Sequence, residues 1–135
     1  MQAQKNGMEG WTSYLYDLQR SGLIRSGVIV DVDGGANAFT SDWNEFSAVE
    51  AEKCKEMLFS RKRKVPLFLG NLGEYYISEN DGESCLGVAS SNSENTIVFS
   101  ATRKYVVVLL GDSMSTKQLK KELQWITDHI KGEGY

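Results

Sequence analysis

Aromatic residues stand near both ends of this chain in a spacing that a core alone does not require. Gly10-Trp11-Thr12-Ser13-Tyr14 lies near the start, and His129 and Tyr135 lie at the close. Trp11 and Tyr14, spaced i, i+3 on a helix, sit side by side. If the first and last helices pack together, Trp11, Tyr14, His129 and Tyr135 form one shallow aromatic patch. Such a groove suits proline-rich peptides. A polyproline helix is already stiff, so docking it loses little entropy, and flat rings pack on its apolar ridges.

Other chemistry finds little support. His129 is the single histidine, which excludes a histidine-based metal site, and no serine or cysteine motif accompanies it for nucleophilic catalysis. Cys54 and Cys85 match neither a metal nor a redox motif. They read as reduced thiols of a cytosolic protein, with a single disulfide as the lesser alternative. Asp31 and Asp33 beside Gly34-Gly35 have too few oxygen neighbours for a cation and lack a phosphate-loop pattern, so they read as a turn. No metal, cofactor or enzymatic activity is expected. The run Arg61-Lys62-Arg63-Lys64 reads as a solvated helix exit or as a contact for anionic lipid head groups.

The 135 residues are 41% hydrophobic, enough for one domain. A net charge of −3 and a pI near 5.2 argue against general nucleic-acid binding. No apolar run approaches the ~20 residues of a membrane span. Residues 1–7 read as a flexible polar tail without a signal-peptide core, and residues 8–135 as a single domain.

Elements to position these groups follow from periodicity. A first helix over 9–21 buries Trp11, Leu15 and Leu18. Val28-Ile29-Val30-Asp31-Val32 is a β-branched strand, and a short strand over 36–40 returns beside it. Ser47 with Glu50 forms a capping box for a second helix that carries Val49, Cys54, Met57 and Leu58. Four strands follow over 65–69, 74–78, 84–89 and 96–101. The most apolar strand, 105–110, is expected to lie inside the sheet. Ser113 or Ser115 caps a last helix with Leu119, Leu123, Ile126 and Ile130 as its buried stripe. Short turns between successive strands imply an antiparallel sheet. The class is therefore α+β, with the terminal helices on one face and a further helix on the other.

These motifs in this order resemble the profilin family of small actin-monomer-binding proteins. The resemblance rests on Gly10-Trp11-Thr12-Ser13-Tyr14, Asp33-Gly34, Leu67-Phe68-Leu69-Gly70-Asn71, Val106-Val107-Val108-Leu109-Leu110, His129 and the final Gly134-Tyr135. It implies a profilin-like fold and a non-enzymatic, cytoplasmic, cytoskeleton-associated protein. Its implied partners are monomeric actin, proline-rich proteins of the formin kind, and phosphoinositides. For proline-rich peptides the implied residues are Trp11, Tyr14, His129 and Tyr135. A tryptophan usual after the Asp-Gly turn is replaced by Ala38, with Phe39 and Trp43 as candidate substitutes. For actin they are Arg63, Lys64, Tyr75, Lys117, Lys120, Lys121 and Trp125, and for phosphoinositides Arg61, Lys62, Arg63 and Lys64. The family's basic middle strand is here the uncharged 85–91, which implies weaker actin association. The alternatives are a proline-rich-peptide adaptor or phosphoinositide-binding protein with weak or no actin binding, and a PAS-like or longin-like sensor.

Overall fold

The computed structural model describes residues 9–33, 35–40 and 46–135. The expected tail over 1–7, Gly34 and Trp43 lie outside the described residues.

Seven strands form one antiparallel sheet: β1 (Ser26–Asp31), β2 (Gly35–Phe39), β3 (Val65–Phe68), β4 (Glu74–Asn80), β5 (Ser84–Ala89), β6 (Asn95–Ala101) and β7 (Tyr105–Asp112). Their spatial order is β2-β1-β7-β6-β5-β4-β3. The apolar β7 runs between β1 and β6, where its unbroken run of buried residues suits a strand covered on both faces. Among the described residues three α-helices accompany the sheet: α1 (Glu9–Arg20), α2 (Ala48–Ser60) and α3 (Thr116–Gly132).

Side chains alternate across the sheet, so its central strands feed two separate cores. Val28, Val30, Ile77, Phe99, Val106 and Val108 face α2, which contributes Ala51, Cys54 and Leu58. Ile29, Ala38, Val98, Val107 and Leu109 face the other way, toward Trp11, Leu15 and Leu18 of α1 and Leu119, Leu123, Ile126 and Ile130 of α3. The terminal helices thus share one face and α2 takes the other, as the sequence pattern implies. Burial pushes the Cys85 thiol up to about 12 and raises that of Cys54 as well, so both stay protonated and inert within the α2 core.

Local chemistry sets the helix ends. Ser47 caps α2, its side chain accepting from the Val49 N–H, while Glu50 Oε1 accepts from the Ser47 N–H at 2.8 Å, so the expected capping box forms. The start of α3 differs from expectation. Asp112, not a serine, caps a short 3₁₀ turn over Ser113–Ser115, and Ser115 precedes α3 without a side-chain capping bond.

Two glycines let the terminal helices lie close on the sheet. A Cβ on Gly27 of β1 would stand 3.0 Å from Leu15 Cδ2 and 3.2 Å from Leu109 Cδ2. A Cβ on Gly111 of β7 would stand 2.8 Å from Leu119 Cδ1. Because Leu119 is fully buried, it has nowhere to retreat. Gly111→Ala is therefore expected to destabilise the fold by about 1–3 kcal/mol in urea unfolding, through overpacking. Gly132→Ala, where nothing lies within 4 Å, is expected to be neutral or stabilising.

Candidate functional site

Successive residues of α3 turn by about 100°, which gives the helix two unlike exposed sides. Glu122, Trp125 and His129 share the side next to α1, while Lys117, Lys120, Lys121 and Lys131 share the side toward β4–β6.

On the α1 side the rings form a row. The His129 ring lies 3.9 Å from that of Trp125, and Trp125 stacks on Tyr14 at 5.0 Å with 24° between the planes. Trp11 meets Tyr14 and Trp125 edge-on, at 5.7 and 5.9 Å. Such offset and edge-on pairs are the favourable geometries for aromatic rings. Trp11 is only 8% exposed and forms the floor, whereas Trp125 is 43% exposed and forms the surface. The Tyr14 hydroxyl donates to Glu122 Oε1 at 2.6 Å. Partial burial, then that bond and the carboxylate charge, raise the Tyr14 phenol well above its ordinary value. His129 Nδ1 lies 3.0 Å from the Trp125 carbonyl oxygen, which fixes the ring against its neighbour.

The structure brings together Trp11, Tyr14 and His129 and adds Trp125, which the sequence reading assigned to the actin-facing surface. Trp125 and His129 are spaced i, i+4, and this spacing was the available signal that they share a side. Tyr135 stands apart from the row, half-exposed, with its ring 5.6 Å from Tyr105 and Lys104 Nζ 5.5 Å from its centre. Tyr105 belongs to the same hydrophobic cluster as Trp11, so both aromatic groups lie on the terminal-helix face. Phe39 does not join them. Ala38 faces α1 and α3, so its neighbour Phe39 points through the sheet and packs against the α2 core.

A cleft of about 900 Å³ lies on the other side of α3, against β4–β6. Arg63, Lys117, Lys120, Lys121 and Lys131 line it, and so do Glu79, Asp81 and Glu83. Lys120 Nζ is bound to Glu79 Oε1 at 2.9 Å. The Asp81 carboxyl is held below its usual range, first by the Ser84 N–H and then by that of Glu83. Beyond the cleft the sheet face over β3 and β4 is uncovered, leaving Phe68 and Tyr76 exposed. Tyr75, expected at this surface, is 5% exposed and packs in the α2 core; strand alternation puts Tyr76 outward in its place.

Arg61, Lys62, Arg63 and Lys64 are all exposed. Of these, only Arg63 lines the cleft. Asn80 Nδ2 ties this segment down by donating to the Met57 and Lys62 carbonyls at 2.8 and 3.0 Å.

No family model and no curated protein matches this sequence. Solved structures do. Acanthamoeba castellanii profilin IA superposes with a TM-score of 0.66 at 15% identity, covering 93% of this chain and 99% of that one. Acanthamoeba castellanii profilin II gives 0.60 at 19% identity, and Schizosaccharomyces pombe profilin 0.60 at 18%, each with the same coverage. The chain has the profilin fold. At these identities the likeness is one of fold. The Gly-Trp-x-x-Tyr motif lies in α1, with Trp11 and Tyr14 both in the ring row, and His129 sits one turn beyond Trp125 on α3.

Tyr14 supplies a pH test of this ring row. Its proton is held in the fold beyond the ordinary value of 10.0, so the native state binds more protons than the unfolded chain above that pH. The resulting stabilisation is fully present below pH 10.0 and is lost as pH rises further. Wild-type stability should therefore fall more steeply in alkali than that of Tyr14→Phe. A near-ultraviolet difference titration between the two should stay flat while the exposed tyrosines ionise.

Proposed function

We propose that this protein binds proline-rich segments through the ring row and actin monomers through the cleft side of α3, and so regulates filament assembly. The observation that carries this reading is the row Trp11, Tyr14, Trp125 and His129 across two helices. Such a surface offers flat apolar faces to a stiff polyproline helix. Tyr135 with Lys104 presents a second aromatic group on the same face of the sheet.

Actin binding is supported by the profilin fold and by the lysines of α3 beside an uncovered sheet face. Lys117, Lys121, Arg63 and Lys64 would meet an acidic partner surface, and Phe68 and Tyr76 would supply apolar contact. The exposed Arg61–Lys64 segment, with Phe59 exposed just before it, fits anionic phosphoinositide head groups at a membrane surface. The reading is of a non-enzymatic, cytoplasmic, cytoskeleton-associated protein whose residues 1–7 form a tail beside one domain.

One observation favours an adaptor without actin binding. Glu79, Asp81 and Glu83 share the cleft with the lysines, and Glu79 already engages Lys120. Two titrations separate the readings. Trp125→Ala is expected to weaken binding of a polyproline peptide about tenfold, followed by tryptophan fluorescence. Monomeric actin is expected to bind at micromolar strength, slow spontaneous nucleation, and bind more weakly to Lys117→Glu/Lys121→Glu. Unchanged peptide affinity in Trp125→Ala would refute the row, and absent actin binding with intact peptide binding would leave the adaptor.

A further inference from the structure

We propose that Glu122 makes the ring row selective for proline-rich segments that carry a lysine or arginine; this rests on the peptide-binding reading above.

Among the described residues, Glu122 is the carboxylate hydrogen-bonded to a ring of the row, and it is committed in position but not in charge. Glu122 Oε1 accepts the Tyr14 hydroxyl at 2.6 Å, a bond to a neutral phenol. A carboxylate offers about four acceptor sites, so the bond to Tyr14 leaves others for a ligand. Among the described residues the ion pairs are Arg20–Asp17, Arg25–Asp112, Lys104–Asp31 and Lys120–Glu79, and none includes Glu122. The lysines of α3 line the cleft on the other side of the helix. Glu122 is half-buried, so its charge is less screened than one free in solvent. Tyr14 holds its carboxyl in one place before any ligand arrives, which lowers the ordering cost of a new contact.

Trp125 adds a second reason for cation preference. It is 43% exposed and lies one turn from Glu122 on the same side of α3. The stem of a lysine or arginine bound at Glu122 can lie across that ring, with the cation near its face. Distances along the helix agree. Glu122 and Trp125 are separated by about 4.5 Å of helix rise, and a polyproline helix rises about 3.1 Å per residue. A basic residue one or two positions from the proline seated on Trp125 therefore reaches Glu122. An acidic residue there meets a like charge at a partly desolvated site, which acts as a rejecting element as well as an attracting one.

The test uses the full chain and three proline-rich peptides of equal length, flanked at both ends by lysine, by serine or by glutamate. At low salt the lysine-flanked peptide is expected to bind about two- to fivefold tighter than the glutamate-flanked one. The difference should vanish in Glu122→Gln, invert in Glu122→Lys, and shrink as salt is added. Equal affinity for the lysine and glutamate peptides, with the serine peptide still bound, overturns the selectivity. A difference that survives in Glu122→Gln overturns its assignment to this residue. If even the serine peptide fails to bind, the peptide-binding reading falls and takes this inference with it, a result distinct from loss of discrimination alone.

Discussion

Leu15, Leu109 and Leu119 crowd against two positions that carry no side chain, Gly27 and Gly111. The remaining features of the site follow from how closely α1 and α3 can therefore approach β1 and β7. Both helices bury their apolar stripes on this one sheet face, where fully burying each leucine or isoleucine contributes about 1.5–3 kcal/mol. Such a packed core fixes the rotation of each helix as well as its distance from the sheet. Once rotation is fixed, Tyr14 and Trp125 have to meet across the groove between α1 and α3, because each is set by spacing from residues already buried. Leu15 and Leu18 set Tyr14 on α1, and Ile126 and Ile130 set Trp125 and His129 on α3.

The same constraint explains why the row has a floor and a surface. Trp11 leads the buried stripe of α1 and closes the core, while Trp125 sits about 100° round α3 from Ile126 and faces outward. Removing Trp11 would open a cavity in the core, whereas removing Trp125 exposes no more than its neighbouring rings. Function and stability are therefore separable within one aromatic cluster. The Tyr14–Glu122 bond adds a polar, part-buried clamp between the helices at the edge of this cluster.

Much of the fold is legible in the residues. The Ser47–Glu50 capping box, the stripe Leu119-Leu123-Ile126-Ile130 and the strand-turn alternation from residue 65 to residue 110 each have one reading, and each forms as read. The α+β arrangement follows, because consecutive short turns leave no room for parallel crossovers. The site was legible in part. Period-two alternation says that Ala38 and Phe39 face opposite ways, and likewise Tyr75 and Tyr76, but it does not say which face holds the terminal helices. That choice is made by tertiary packing: Ile29 and Ala38, partners across β1 and β2, both pack under α1 and α3. Phe39 and Tyr75 consequently fall to α2. Trp125 is a different case, since its i, i+4 relation to His129 is local and needs no tertiary knowledge. The family resemblance implies a different surface for this residue, whereas its ring contacts are with Tyr14, Trp11 and His129. The position of Tyr135 was not readable, because it depends on how the chain leaves α3 to set that ring against Tyr105.

A single helix carrying two surfaces has a consequence for how partners combine. Glu122, Trp125 and His129 occupy one side of α3, and Lys117, Lys121 and Lys131 the other, with the buried stripe clamped between them. On the proposed reading, a ligand on the ring row would meet the α1 side of α3, and a partner in the cleft would meet the side toward β4. Neither needs atoms that the other covers. Because the stripe is held by close-packed leucines and isoleucines, binding on one side cannot rotate the helix without opening the core beneath both. If both proposed sites bind as proposed, the fold favours simultaneous occupancy over exchange. Any coupling between the two surfaces must come from charge, where the α3 lysines and Glu122 share one helix, and not from movement of the backbone.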